Sequence, residues 1–149
     1  GCILTHTGFH PHTLSSTKMA FLKVKDGLLE EIKEKECYTS NPMNEEASTG
    51  IYYFRRGDAL KKYCDKAIDQ HLTYNGEYYV TLVYNLLVKD GLMVGYYSTD
   101  FVTVFGTPEE VENYEAWCTL LKGDQVKNPL DILKVYSYWK DYHDSSNIC

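Results

Sequence analysis

Apolar and polar positions change their period several times along the chain, and each change predicts an element. Residues 2 to 7 form an apolar run with a β-branched member. The stretch Gly8 to Thr17, with its Gly, Pro and hydroxyl residues, then interrupts it, so a strand leads into a loop. Met19 to Lys25 (Met-Ala-Phe-Leu-Lys-Val-Lys) is expected to form a second strand. Asp26-Gly27 follows, the dipeptide that a tight hairpin prefers because both positions tolerate positive φ, and a returning strand is expected from Leu28 to about Lys33. Glu34 to Glu46 is polar, contains Asn41-Pro42 and is expected to be a loop. Ser48 to Phe54 is the most strand-like run, by its β-branched and aromatic content.

Helical spacing takes over after Gly57-Asp58, which offers an N-cap. Ala59, Leu60, Tyr63, Ala67 and Ile68 recur on one face through about Gln70. A second helix is expected with Asn75 as cap and Tyr79, Leu82, Val83, Leu86 and Leu87 as its apolar face, closed by Asp90-Gly91. Leu92 to Tyr97 returns to strand character. Thr107-Pro108-Glu109-Glu110 combines a Thr cap, Pro at the first helical position and a Glu that completes a capping box, and it predicts a helix to about Leu121. Pro129 to His143 carries Leu130, Leu133, Val135, Tyr136, Tyr138, Trp139 and Tyr142, a last helix with a wide aromatic face. Strands first, then helices with a strand between them, make a mixed α/β architecture with an incomplete sheet.

Composition narrows the function classes. The net charge of −6, with only Arg55-Arg56 and Lys61-Lys62 as short basic runs, argues against a nucleic-acid partner. Five cysteines (Cys2, Cys37, Cys64, Cys118, Cys149) without paired spacing fit neither a disulfide framework nor a zinc site, and a reducing cytoplasm is the simplest setting. No apolar run approaches the roughly 18 residues of a membrane helix, so no membrane partner is expected. The fourteen Tyr residues suit a half-exposed sheet, a cleft or a subunit interface equally well. Gly1 opens directly onto a strand without an initiator Met, and the first residue is read as a boundary within a larger protein.

Most generic motifs are missing, including Gly-x-Gly-x-x-Gly, a phosphate loop, a Gly-x-Ser-x-Gly elbow and His-Glu-x-x-His. His10-Pro-His12 has no Cys or acidic neighbour to complete a metal site and suits a surface loop better. Glu34-Lys35 stands at a strand end ahead of Ser48-Thr49-Gly50. A Lys there can pair with a phosphate, a Glu can accept from sugar hydroxyls, and Gly50 permits close backbone approach. Spacing alone favours an exposed charged strand end within Glu-Glu-Ile-Lys-Glu-Lys-Glu.

Six segments in order bear on that choice. They are Gly-Phe-His-Pro-His-Thr-Leu (8–14), Met-Ala-Phe-Leu-Lys-Val (19–24), Glu-Ile-Lys-Glu-Lys-Glu (31–36), Ala-Ser-Thr-Gly-Ile-Tyr-Tyr-Phe (47–54), Tyr-Asn-Gly-Glu-Tyr-Tyr-Val-Thr-Leu-Val-Tyr-Asn (74–85) and Phe-Gly-Thr-Pro-Glu-Glu (105–110). Together they resemble the C-terminal two thirds of sugar-phosphate nucleotidyltransferases, the group that includes glucose-1-phosphate thymidylyltransferases and related capsule and cell-surface sugar enzymes.

The resemblance implies an incomplete Rossmann-like nucleotide-diphospho-sugar transferase fold, a mixed sheet with flanking helices. It implies residues 1–121 as the C-terminal, sugar-phosphate-binding part of a nucleotidyltransferase domain. Residues 122–149 would then be an aromatic helix, either packed back or forming a homo-oligomer interface. Its partners would be a sugar phosphate, an NTP and the N-terminal half of the same protein. Carried over by position, Lys35 holds the sugar phosphate, Glu34 a sugar hydroxyl, Ala20 a small-residue approach, and Ser48, Thr49 and Gly50 the sugar pocket. Asn75 and Glu77 open the following helix, with Glu77 either near the sugar or simply an acid favourable to the helix dipole.

Mg²⁺ is expected mainly in the absent N-terminal half, because Val104 stands where the family places a second metal-binding carboxylate and a valine has no oxygen donor. Asp100 nearby is a substitute, one protein acid with phosphates is another, and lost activity is a third. Two functions follow: a nucleotidyltransferase fragment active only with its N-terminal half, or a non-catalytic sugar-phosphate-binding or assembly module of the same fold.

Overall fold

A computed structural model of the chain describes residues 1–8 and 19–121. The chain divides into two compact units, residues 1–8 with 17–101, and residues 9–16 with 102–149. His10-Pro-His12 and the aromatic segment 129–143 lie outside the described residues.

The first unit contains strands β1 (Cys2–His6), β2 (Ala20–Lys25), β3 (Leu28–Glu34), β4 (Glu46–Tyr53) and β5 (Gly95–Ser98), with helices α1 (Gly57–Asp69) and α2 (Val80–Lys89). The hairpin expected at Asp26-Gly27 forms. Its two residues sit at φ 51° and 79°, and Lys25 pairs with Leu28 across the turn. β4 then joins the outer side of β2 at Phe21↔Ala47 and Leu22↔Glu46, and β1 joins β4 antiparallel from Cys2↔Tyr53 to His6↔Ala47.

The expected Rossmann-like mixed sheet with flanking helices is not what these strands build. They close into a small five-stranded barrel in the order β1-β4-β2-β3-β5. β5 accounts for the closure: it runs parallel to β1 from Cys2↔Gly95 to Thr5↔Ser98 and also meets β3 at Leu28↔Gly95. A strand of only four residues thus joins the two ends of the sheet, and no periodicity in the sequence carries that information. The helices do not cover two faces either: α2 packs on β3, and α1 packs on α2.

Strands and helices share one core. Ile3, Leu22, Leu29, Ile32 and Val94 from the strand segments meet Tyr63 and Ala67 of α1 and Val83, Tyr84, Leu86 and Leu87 of α2. Tyr84 is its largest fully buried side chain; its ring stacks on Phe54 at 4.7 Å and its hydroxyl donates to the Tyr53 carbonyl at 3.1 Å. α2 is buried on nearly every side, which suits its almost continuous apolar sequence. On α1 only Tyr63 and Ala67 of the expected face are buried, and Ile68 is exposed.

Both helix starts differ from expectation. Arg56, not Gly57-Asp58, occupies the cap position of α1. Asp58 lies inside the first turn, where it accepts from Arg56 Nε at 2.8 Å and from the Ala59 N–H at 2.9 Å. α2 starts at Val80 with Tyr79 before it, so Asn75 does not cap a helix. In the second unit, described over residues 102–121, α3 (Pro108–Leu121) begins with the expected capping box. The Thr107 N–H donates to Glu110 Oε2 at 2.8 Å, and the Glu110 N–H donates back to Thr107 Oγ1 at 3.3 Å. Among the described residues no helix is long and apolar enough to cross a membrane.

Candidate functional site

The hairpin of β2 and β3 ends where Ala20 faces Glu34, both buried. Lys35 follows at φ 57°, a left-handed conformation that residues with a Cβ seldom adopt, so the regular strand path breaks at this point. Its N–H donates to the Met19 carbonyl at 3.0 Å, which ties the break to the start of β2.

Lys35 Nζ donates to the Tyr79 hydroxyl at 2.5 Å, and that hydroxyl in turn donates to Glu77 Oε2. The ammonium also lies over the Tyr79 ring, 4.7 Å from its centroid, and 5.9 Å from that of Tyr74. Its pKa is raised above the ordinary lysine value, first by the hydrogen bond to Tyr79. Desolvation opposes the rise, and the negative charges of Glu77 and Glu34 add to it. The cation is therefore secured, and it sits at an aromatic corner instead of extending freely into water.

Asn75 and Gly76 shape this corner by a route other than helix capping. They take φ 49° and 82°, and Tyr74 and Glu77 exchange backbone hydrogen bonds of 2.9 and 3.0 Å across them. That is a two-residue turn of the kind Asn-Gly favours, and it presents Glu77 from a hairpin rather than from the first turn of a helix. The helix-dipole role for Glu77 is thereby overturned.

Glu34 is held from α2: Thr81 Oγ1 donates to its Oε2 at 2.6 Å. Its charge reaches Tyr52 as well, whose pKa is raised chiefly by burial and further by Glu34, against the hydrogen bond from Ser48. Ser48 Oγ donates to the Tyr52 hydroxyl at 2.9 Å and accepts from the Gly50 N–H at 3.1 Å. Lys35, Glu34 and Glu77 thus share one electrostatic neighbourhood, with Ala20 beside Glu34 and Ser48 joined to it through Tyr52. Thr49 serves elsewhere, its hydroxyl donating to the Leu4 carbonyl at 3.0 Å. Gly50 is needed for its φ of 84° and not for close approach, since a Cβ built there would meet nothing within 4 Å.

Tyr74, Tyr79, Thr81 and Tyr52 complete the cluster; the sequence marks none of them as a site residue, and it places Tyr79 on the apolar face of a helix that in fact starts after it. The one signal for them was adjacency, since Tyr74, Tyr79 and Thr81 flank Glu77 within residues 74–85 and Tyr52 follows Gly50. Among the described residues no three His, Cys, Asp or Glu side chains are grouped to hold a metal ion. The Val104 side chain has no oxygen or nitrogen to offer a cation. The described cysteines, Cys2, Cys37, Cys64 and Cys118, form no disulfide. Burial raises the thiol pKa values of Cys37 and Cys64, which disfavours a thiolate nucleophile at either.

No protein-family model matches the chain, and no curated protein matches it. Among solved structures it is similar to the nucleoside-diphosphate-sugar pyrophosphorylase from Vibrio cholerae RC9, with a TM-score of 0.61 and 22% identity over 76% of this chain. The chain spans 45% of that protein's length. At this identity the likeness is one of fold.

Proposed function

We propose that this chain is the sugar-phosphate-binding portion of a sugar-phosphate nucleotidyltransferase, with Lys35 as the anchor for the phosphate. The observation that carries this reading is the ammonium of Lys35, set at the end of β3 among Glu34, Glu77, Tyr74 and Tyr79. The fold likeness to a nucleotide-sugar pyrophosphorylase supports it.

In the reaction a sugar phosphate oxygen attacks the α-phosphorus of a nucleoside triphosphate; a new P–O bond forms as the bond to pyrophosphate breaks. Lys35 neutralises charge on the attacking phosphate, a task that requires position more than covalent chemistry. Glu34, one of whose oxygens Thr81 holds, offers the other to a sugar hydroxyl. The nucleotide and its Mg²⁺ belong, on this reading, to a further portion of the protein.

A second reading, a non-catalytic sugar-phosphate-binding module, is favoured by one observation: Val104 brings no ligand where a carboxylate is expected. Both readings require the same anion site. Calorimetry of the full chain with α-D-glucose 1-phosphate tests it, with free glucose and inorganic phosphate as controls. Lys35→Ala is expected to weaken binding by roughly ten- to a hundred-fold, the range for loss of a charge-assisted hydrogen bond. Equal affinity of the wild type and Lys35→Ala, or no binding by either at millimolar ligand, overturns the assignment. Nucleotide-sugar formation by the chain joined to that further portion separates the enzyme from the module.

A further inference from the structure

A lysine has four rotatable carbons and three donors on a compact, strongly hydrated head, so it makes an efficient anion site only if something holds the head in place. Here that role falls to Tyr79. It is the residue just before α2 and makes no side-chain cap for that helix, so its hydroxyl is available for other partners. That hydroxyl accepts from Lys35 Nζ at 2.5 Å and spends its own proton on Glu77. Glu77 in turn is fixed through the backbone pairing of the Asn75-Gly76 turn. The Tyr74 and Tyr79 rings meet nearly edge to face, 6.4 Å apart at 75°, and form the two walls of the corner where the ammonium rests.

We propose that Tyr79 is a positioning residue for Lys35: its hydroxyl, oriented by Glu77, holds the ammonium over the aromatic corner so that an anion meets a preformed cation with two donors still unspent. This rests on the reading of Lys35 as a phosphate anchor. Tyr79 touches no ligand atom in this proposal; it acts through the lysine. Preorganisation of this kind strengthens binding by reducing the ordering cost at the moment of association.

Tyr79→Phe removes one oxygen and keeps the ring, so the fold and the cation–π contact persist. Two measurements decide the matter. The first is the titration of the Lys35 side chain, followed by ¹³C NMR at Cε and assigned with Lys35→Ala. The charged and titratable groups facing it are Tyr79, Glu77, Tyr74 and Glu34, and in Tyr79→Phe its midpoint is expected to fall toward the ordinary 10.5. The second is a double-mutant cycle with α-D-glucose 1-phosphate as probe. Tyr79→Phe is expected to weaken binding about ten-fold in the wild type and not at all in the Lys35→Ala background, as coupled residues do.

A Lys35 midpoint unmoved in Tyr79→Phe, or affinity losses that simply add, overturns the positioning role. If Lys35→Ala binds the probe as tightly as wild type, the phosphate-anchor reading fails instead. The NMR midpoint then still shows whether Tyr79 and Lys35 are coupled.

Discussion

Thr81 shows how much a single hydroxyl can carry at this site. Glu34 is 7% exposed, and a carboxylate so enclosed needs donors to replace water. Thr81 Oγ1 supplies one at 2.6 Å. Thr81→Val keeps the shape and the β-branch but deletes the donor, and it is expected to destabilise the fold by about 1–3 kcal/mol, the cost of leaving a buried acceptor unmet. Urea unfolding at neutral pH measures it, and a midpoint equal to wild type would mean that Glu34 draws its solvation from elsewhere. The pairing was not legible from one chain, because positions 34 and 81 are brought together only when α2 lies on β3. The neighbouring Glu34-Lys35 pair was legible as a candidate, by its residue types at a predicted strand end. The left-handed turn at Lys35 was not, since no local motif around it demands positive φ.

Among the elements, α2 does more than fill space. Asn85 sits mid-helix, where asparagine is a poor helix former, and its amide serves the strand instead. Its Oδ1 accepts from the Ile32 N–H at 2.9 Å, and its Nδ2 donates to the Ile32 carbonyl at 2.8 Å. β5 reaches β3 only at Leu28, so Asn85 takes the place of a pairing strand farther along that edge. Asn85→Ala orphans both backbone groups of Ile32 and is expected to cost about 2–3 kcal/mol. It should also speed amide exchange at Ile32 beyond any global change, and selective protection that survives the substitution would show that another group covers that edge. The loop between α1 and α2 teaches a related lesson. The apolar helical period after Asn75 suggests a cap, yet Asn-Gly is equally a hairpin signal. The turn prevailed because Gly76 at φ 82° cannot continue into a helix.

At the scale of the whole first unit, α1 is tied to the end of α2 through Asp90. Its carboxylate accepts from the Tyr63 hydroxyl at 3.0 Å and from Lys66 Nζ at 2.7 Å. The hydrogen bonds from Lys66 and then Tyr63 hold the Asp90 pKa below the ordinary 3.8. A carboxylate depressed on folding contributes stability that is complete above its unfolded value and fades as pH falls through the folded one. Wild type and Asp90→Asn are therefore expected to differ by a constant amount from about pH 5 to pH 7, with the gap closing below about pH 4. Urea denaturation across that range reads it, and a gap that persists into strong acid would place the effect on packing rather than charge. The same tie sets α1 beside α2, and Tyr63 and Ala67 of α1 join the core that α2 shares with the strands. What the sequence determined by itself was local: the Asp26-Gly27 hairpin, the capping box of α3, the strand character of residues 19–25, 28–33 and 48–53, and the apolar stretch that became α2. Each depends on backbone preferences and on periods that a few consecutive residues carry in full. The tertiary structure alone decided that four residues of β5 would close the strands into a barrel, and that Tyr79 and Glu77 would gather around Lys35. Those outcomes depend on pairings between positions some 40 to 90 residues apart, whose energies arise only when distant segments share one register.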